Sequence, residues 1–246
     1  MQHRSKKIKK SLFIILVVLI VLSGGSAIYL SNYYHSVDVE KYMNGSSEVS
    51  VEKFDKGWFF DGAGEEKALI FYPGAKVATE AYAPLMYQLA ESGIDCFLVD
   101  MPFHMAFFGM NRAEEIMQEY NYEAWYLGGH SLGGAMAANF AADYVEDHTD
   151  GIRGLLLLAA YPTKDLSTSD MSVVTVYGSE DGVLNMDKIV AGRELMPQDY
   201  KEVCIEGGNH AQFGSYGAQK GDGTAAIPAE EQWARTVEVF VGDESE

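Results

Sequence analysis

Three short stretches of this chain carry residue types that together could do nucleophilic chemistry. Ser131 lies between glycines in Gly129-His130-Ser131-Leu132-Gly133. A serine hydroxyl is a weak nucleophile until a base takes its proton. That base must be an imidazole held by a third group. Asp181 lies 50 residues after Ser131, in Gly178-Ser179-Glu180-Asp181-Gly182, and His210 lies 29 residues after Asp181, in Gly207-Gly208-Asn209-His210. Asp181 is the expected acid, and Glu180 is the neighbouring alternative. Of the six histidines, His3 and His35 precede the globular part. His148 ends a helix, where the dipole favours a cation. His104 is on another loop, and His130 adjoins the serine, so its ring is expected to point elsewhere. His210 remains as the base.

An acyl-transfer intermediate needs preorganised backbone N–H donors for its oxyanion. Leu132, directly after the serine, is one expected donor. The second is expected from Tyr72-Pro73-Gly74-Ala75-Lys76, with Ala75 first and Lys76 second, unless Pro73-Gly74 is a plain turn. The stretch from Met101 to Met110 is apolar and aromatic where a surface loop is expected, and exposed apolar patches mark binding sites. Phe103, Phe107 and Phe108 are therefore expected to wall a hydrophobic substrate pocket, with Phe213, Tyr216 and the loop 211–228 closing its other side.

These residues need a scaffold, and the hydrophobic pattern supplies one. Residues 49–54 and 58–60 read as an antiparallel pair. Strands are predicted at 68–72, 96–99, 124–127, 155–158, 173–177 and 202–205, and helices at 79–91, 112–120, 132–148, 186–195 and 229–241. Alternation of this kind specifies an α/β fold with a mostly parallel sheet and helices on both faces. Each candidate residue then follows a strand, at the edge where ligands of open α/β sheets bind. Ser131 falls in a strand–turn–helix setting, where Gly129 and Gly133 relieve collisions at a sharp, strained turn.

The first ten residues hold Arg4, Lys6, Lys7, Lys9 and Lys10, and residues 12–22 are uninterruptedly apolar. This reads as an export segment. Two versions stay open. Gly25-Ser26-Ala27 offers a cleavage site, whereas residues 12–30 are long enough to span a bilayer as an anchor, with Tyr29, Tyr33 and Tyr34 at the far interface. Either version places the globular part outside the cytoplasm. The expected organisation is a signal or anchor over 1–31, a polar linker over 32–48 and a catalytic domain over 49–246. No Asp or Glu precedes Asp38, so the remainder carries 13 basic against 36 acidic residues. Such a surface repels nucleic acid. Cys96 and Cys204 fall on strands far apart in the sheet, so two free, buried thiols are expected.

With elbow, acid, histidine and strand order in place, the sequence resembles the α/β-hydrolase superfamily, and within it the small bacterial serine hydrolases of dienelactone-hydrolase-like and esterase-like type. The resemblance covers residues 49–241. It rests on Tyr72-Pro73-Gly74-Ala75, Gly129-His130-Ser131-Leu132-Gly133-Gly134, Gly178-Ser179-Glu180-Asp181 and Gly207-Gly208-Asn209-His210-Ala211. It implies an eight-stranded sheet, a Ser-Asp-His triad acting through an acyl-enzyme on a small-molecule ester, and neither metal nor organic cofactor. The short stretch 161–171 implies that no cap domain is inserted. The serine departs from dienelactone hydrolases, which use cysteine. A monomer is the default. Acyl transfer or deacylation on cell-envelope molecules is the alternative reaction, and a binding protein that keeps the fold without the chemistry is the alternative class.

Overall fold

The computed structural model describes residues 13–18, 20, 24–25, 31–148 and 151–243. They fall into two units divided between Tyr33 and Tyr34. In the first unit residues 13–18 are helical. Among the described residues no helix is long and apolar enough to cross a membrane. Within the stretch 12–30, on which the anchor expectation rests, residues 12, 19, 21–23 and 26–30 lie outside the described residues.

The second unit is built on eight strands: β1 (Ser50–Phe54), β2 (Gly57–Asp61), β3 (Lys67–Tyr72), β4 (Asp95–Val99), β5 (Ala124–His130), β6 (Ile152–Leu158), β7 (Ser172–Gly178) and β8 (Tyr200–Ile205). They form one sheet in the order β1-β2-β4-β3-β5-β6-β7-β8. The β1–β2 and β2–β4 pairs are antiparallel and all others parallel. β3 lies between β4 and β5, so the connections after β3 and β5 diverge there. A crevice opens at such a switch point, at the carboxyl ends of the strands.

Side chains alternate across the strands and feed two cores. Leu69, Phe71, Cys96, Leu98, Leu156 and Val174 face one layer, with Leu89 of α1 (Ala83–Glu91) and Trp233 and Phe240 of α5 (Ala229–Asp243). Ala68, Ile70, Phe97, Val99, Leu127 and Leu157 face the other, with Ile116 of α2 (Arg112–Glu119) and Ala137, Ala138 and Ala141 of α3 (Leu132–Asp147). A further helix, α4 (Met186–Gly192), is capped by the Asn185 side chain, which accepts the Lys188 amide. Residues 159–171 join β6 to β7 directly, so no cap domain covers the sheet edge.

Two expectations need correcting. Residues 34–48 are not a free linker. Tyr34 bridges to Val77, the Val37 amide donates to the Ser215 carbonyl, and Val39 and Tyr42 join the core. Cys96 is buried as expected, but Cys204 is exposed, although both thiols are free. β8 is an edge strand, so apolar neighbours there do not guarantee burial.

Candidate active site

Ser131 forms the junction of β5 and α3. Its φ and ψ of 54° and −120° are conformations that side chains rarely adopt, at a cost of about 1–3 kcal/mol. Two backbone bonds hold it there: its amide donates to the Leu158 carbonyl at 2.9 Å, and its carbonyl accepts the Ala135 amide at 3.1 Å. The turn tolerates no side chain on either flank. A Cβ on Gly129 would lie 2.5 Å from the Gly133 carbonyl carbon and 2.6 Å from the Gly134 nitrogen, and one on Gly133 would strike the Tyr72 and Pro73 carbonyls. The glycines that define the motif are thus dictated by packing between β3, β5 and α3.

Asp181 and His210 leave the carboxyl ends of the adjacent strands β7 and β8. The His210 Nδ1 lies 2.8 Å from Asp181 Oδ2, and both side chains are 2% exposed. Asp181 Oδ1 accepts the Val183 and Leu184 amides, each at 2.8 Å, which fixes the carboxylate and leaves Oδ2 for the imidazole. An ionised carboxylate only accepts, so Nδ1 carries the proton and Nε2 presents a lone pair. Nε2 is buried and has no hydrogen-bond partner among the described residues. A hydrogen bond from Ser131 Oγ is therefore not made in this state. Catalytic hydrogen bonds are often long in unliganded enzymes and tighten in the substrate complex. Glu180 is exposed, and its carboxylate accepts the Ser179 hydroxyl at 3.2 Å.

His130 does not point away from the site as expected. Its ring lies 4.4 Å from that of His210, centroid to centroid. Tyr82 accounts for this. The Tyr82 hydroxyl accepts the Gly74 amide at 3.0 Å and lies 2.8 Å from His130 Nδ1. The hydroxyl hydrogen has His130 Nδ1 as its partner; with Tyr82 donating there, Nδ1 is the acceptor and Nε2 carries the proton. Burial, followed by the nearby His210, holds the His130 pKa well below the usual histidine range. Burial likewise pushes the Tyr82 phenol up. Both groups stay neutral beside the candidate base.

The oxyanion expectation meets three consecutive amides. Gly74 donates to Tyr82 and Lys76 donates to the His104 carbonyl at 2.7 Å, which removes Lys76 as a donor to a ligand. Ala75 lies between them, half-buried, with its amide uncommitted among the described residues. The Leu132 amide begins α3, so it has no intrahelical acceptor and points out of the positive end of the helix.

The aromatic stretch after β4 winds through two short 3₁₀ turns, Pro102–His104 and Ala106–Phe108, anchored by buried Met101 and Ala106. The turn Ala106–Phe108 packs against α3. Phe103, Phe107 and Phe108 are 58%, 66% and 55% exposed and contact one another edge-on at 5.4–5.6 Å. They form an exposed aromatic cluster, not a buried wall. Phe213 and Tyr216 are buried in the core, Phe213 with its ring 5.7 Å from that of His130. Among the described residues no cluster of three or more His, Cys, Asp or Glu could hold a metal.

Tyr82 and Asp222 were not singled out from the sequence. Tyr82 reads as a core aromatic on a helical face, 48 residues from its partner His130. Asp222 reads as an ordinary turn acid in Lys220-Gly221-Asp222-Gly223. Neither carries a local signal of its role.

Residues 68–234 match the model of the alpha/beta hydrolase family, and the chain belongs to that family. Several solved structures share the fold. A carboxyl esterase from Tuber melanosporum is 13% identical, with 85% of this chain and 89% of that one covered at a TM-score of 0.59. The esterase domain of a Rhodothermus marinus protein is 13% identical, with 79% and 97% covered at a TM-score of 0.57. A carboxylesterase from Bacillus subtilis is 8% identical, with 83% and 96% covered at a TM-score of 0.53. No curated protein matches the sequence.

Proposed function

We propose that this hydrolase cleaves carboxylic esters through an acyl-enzyme on Ser131. The observation that carries the reading is the buried 2.8 Å contact between Asp181 and His210, with Nε2 left unpaired beside the strained elbow. In this reading Nε2 takes the Ser131 proton as Oγ attacks the carbonyl carbon. The Asp181 carboxylate stabilises the imidazolium that forms. The Leu132 and Ala75 amides receive the oxyanion. The imidazolium then protonates the departing alcohol, and water repeats the sequence to release the acid. The esterase names of the fold neighbours agree with this substrate class. The exposed aromatic cluster of Phe103, Phe107 and Phe108 suits an apolar acyl or alcohol group.

Labelling by a fluorescent fluorophosphonate tests the assignment. The wild type is expected to label and Ser131→Ala not to. A wild-type protein that takes no label would favour the non-catalytic binding reading. An acceptor alcohol in place of water would use the same groups, and product analysis with added alcohols separates ester from free acid. The basic first ten residues and the apolar run after them support an N-terminal membrane anchor, with the hydrolase domain outside the cytoplasm. Membrane fractionation of the full chain, with protease protection, tests that placement.

A further inference from the structure

Asp222 lies in the segment between His210 and α5, outside the proposed triad. Its carboxylate accepts four backbone amides. Oδ1 takes His210 at 3.2 Å, Gly182 at 3.1 Å and Gly223 at 2.9 Å, and Oδ2 takes Ala211 at 2.8 Å. The Gly223 bond is local, to the very next residue. The others are not local. Gly182 is the residue after Asp181, on the loop leaving β7, while His210 and Ala211 are on the loop leaving β8. One carboxylate therefore ties the acid loop to the base loop.

The approach is close by design of the backbone. A Cβ on Gly182 would lie 2.6 Å from the Gly221 carbonyl oxygen and 2.9 Å from the Gly223 nitrogen. Asn209 closes the same junction from the other side: its Nδ2 donates to the Gly223 carbonyl at 2.8 Å, while its own amide and carbonyl pair with the Gln232 side chain at 3.0 and 2.8 Å. Other links between the two loops sit lower, at the strand ends, where Glu180 donates to the Gly208 carbonyl and Gly207 to the Ser179 hydroxyl, both at 2.8 Å. Asp222 acts at the level of the catalytic side chains. Hydrogen bonds to an ionised acceptor are shorter and roughly twice as strong as neutral ones.

We propose that Asp222 is a positioning residue that holds His210 against Asp181 and so sets the direction of Nε2 toward Ser131. The proposal rests on the triad reading above. Asp222 touches no reacting atom. It orders the backbone from which the base projects, and a misplacement of about 1 Å at such a group can lower turnover ~100-fold.

The test compares full-length Asp222→Ala and Asp222→Asn with the wild type, using p-nitrophenyl butyrate and proton NMR. The downfield Nδ1–H resonance of the His210–Asp181 bond, assigned by its loss in His210→Gln, reports the pair without reference to turnover. Asp222→Ala is expected to lose ~10- to 100-fold in kcat with little change in KM, and to broaden or lose the downfield resonance. Asp222→Asn keeps one acceptor oxygen and is expected to fall between the two. It also serves if the alanine variant does not fold. Mere loss of folded protein would lower kcat without displacing the resonance of the folded molecules. Wild-type kcat and an unchanged resonance in folded Asp222 variants would overturn the proposal. Full turnover in Ser131→Ala would instead overturn the triad reading, and the resonance would still report whether Asp222 holds the pair.

Discussion

Replacing Asp181 with asparagine changes one atom and tests the direction of the proton on His210. Two backbone amides, Val183 and Leu184, donate to Oδ1 at 2.8 Å, and His210 Nδ1 meets Oδ2 at 2.8 Å. An asparagine has one oxygen for these two places. Keeping the oxygen on the amides turns its NH₂ toward His210, where it donates to Nδ1 and drives the ring proton to Nε2. The base then has no lone pair for Ser131. The flipped amide restores the correct tautomer but sets an NH₂ against two N–H donors. The Leu184 amide is part-buried and the Val183 amide exposed, so leaving both unpaired costs about 2–3 kcal/mol, most of it at Leu184. The flipped, competent population is therefore between roughly one in 30 and one in 150, and kcat should fall by at least that factor; a larger loss, about 10⁴-fold, is known for the equivalent change in a serine protease triad. The assay is steady-state hydrolysis of p-nitrophenyl butyrate, normalised to sites titrated with fluorophosphonate, with thermal unfolding as control. Glu180→Gln should stay within about twofold of wild type, as expected for an exposed substitution away from special features. A loss under ~10-fold in Asp181→Asn, or a large loss in Glu180→Gln, would refute the reasoning.

Other perturbations have equally definite outcomes. Tyr82→Phe leaves the Gly74 amide and His130 Nδ1 unpaired in the core, so it should destabilise the protein by about 2 kcal/mol or more in urea unfolding and lower kcat through the loosened oxyanion loop. His130 is held neutral by burial, so the unfolded chain binds a proton below about pH 6.5 that the native state refuses. This group's contribution is present above that pH and is lost as the pH falls, by up to about 1.4 kcal/mol per pH unit. Stability curves of wild type and His130→Asn should therefore converge on acidification, and parallel curves would count against a neutral buried ring. Cys204 should react slowly with a disulfide reagent in the native protein, because burial and then Glu206 and Glu202 raise its thiol pKa. Cys96 should react only on unfolding, and simultaneous reaction of both would contradict the placement of β8 at the edge.

The most legible parts of the sequence were those governed by local sterics and strand periodicity. The elbow could be read because a turn that tight permits only glycine at 129 and 133, and the structure fills both flanks with backbone. The strands were readable because their apolar runs stack in an α/β sheet. The helix at 79–91 begins instead as a 3₁₀ turn, Thr79–Tyr82, ahead of Ala83-Pro84, where proline is tolerated at the first turn. Contacts made across loops were not legible. Asp222 gains its partners only once β7 and β8 are adjacent, and Tyr82 reaches His130 only when α1 is laid over the sheet. The burial expected of Cys204 fails because its strand lies at the sheet edge with one neighbour. The polarity of 34–48 hid Val39 and Tyr42, whose side chains seat that stretch on the core.

The docking of Tyr34 has a mechanical consequence. Its amide donates to the Lys76 carbonyl at 2.7 Å and its carbonyl accepts the Ala78 amide at 2.8 Å, on the loop that holds Ala75. Its phenol also accepts the Lys220 amide at 3.2 Å, two residues before Asp222. Tension along the N-terminal chain therefore bears first on this clasp, and peeling it away would release the Ala75 loop and slacken the Lys220–Asp222 turn together. A protein shortened to begin at Val49 lacks the clasp altogether. Its turnover and its melting temperature should both fall, because it loses the bracing of the active edge together with the core packing of Val39 and Tyr42.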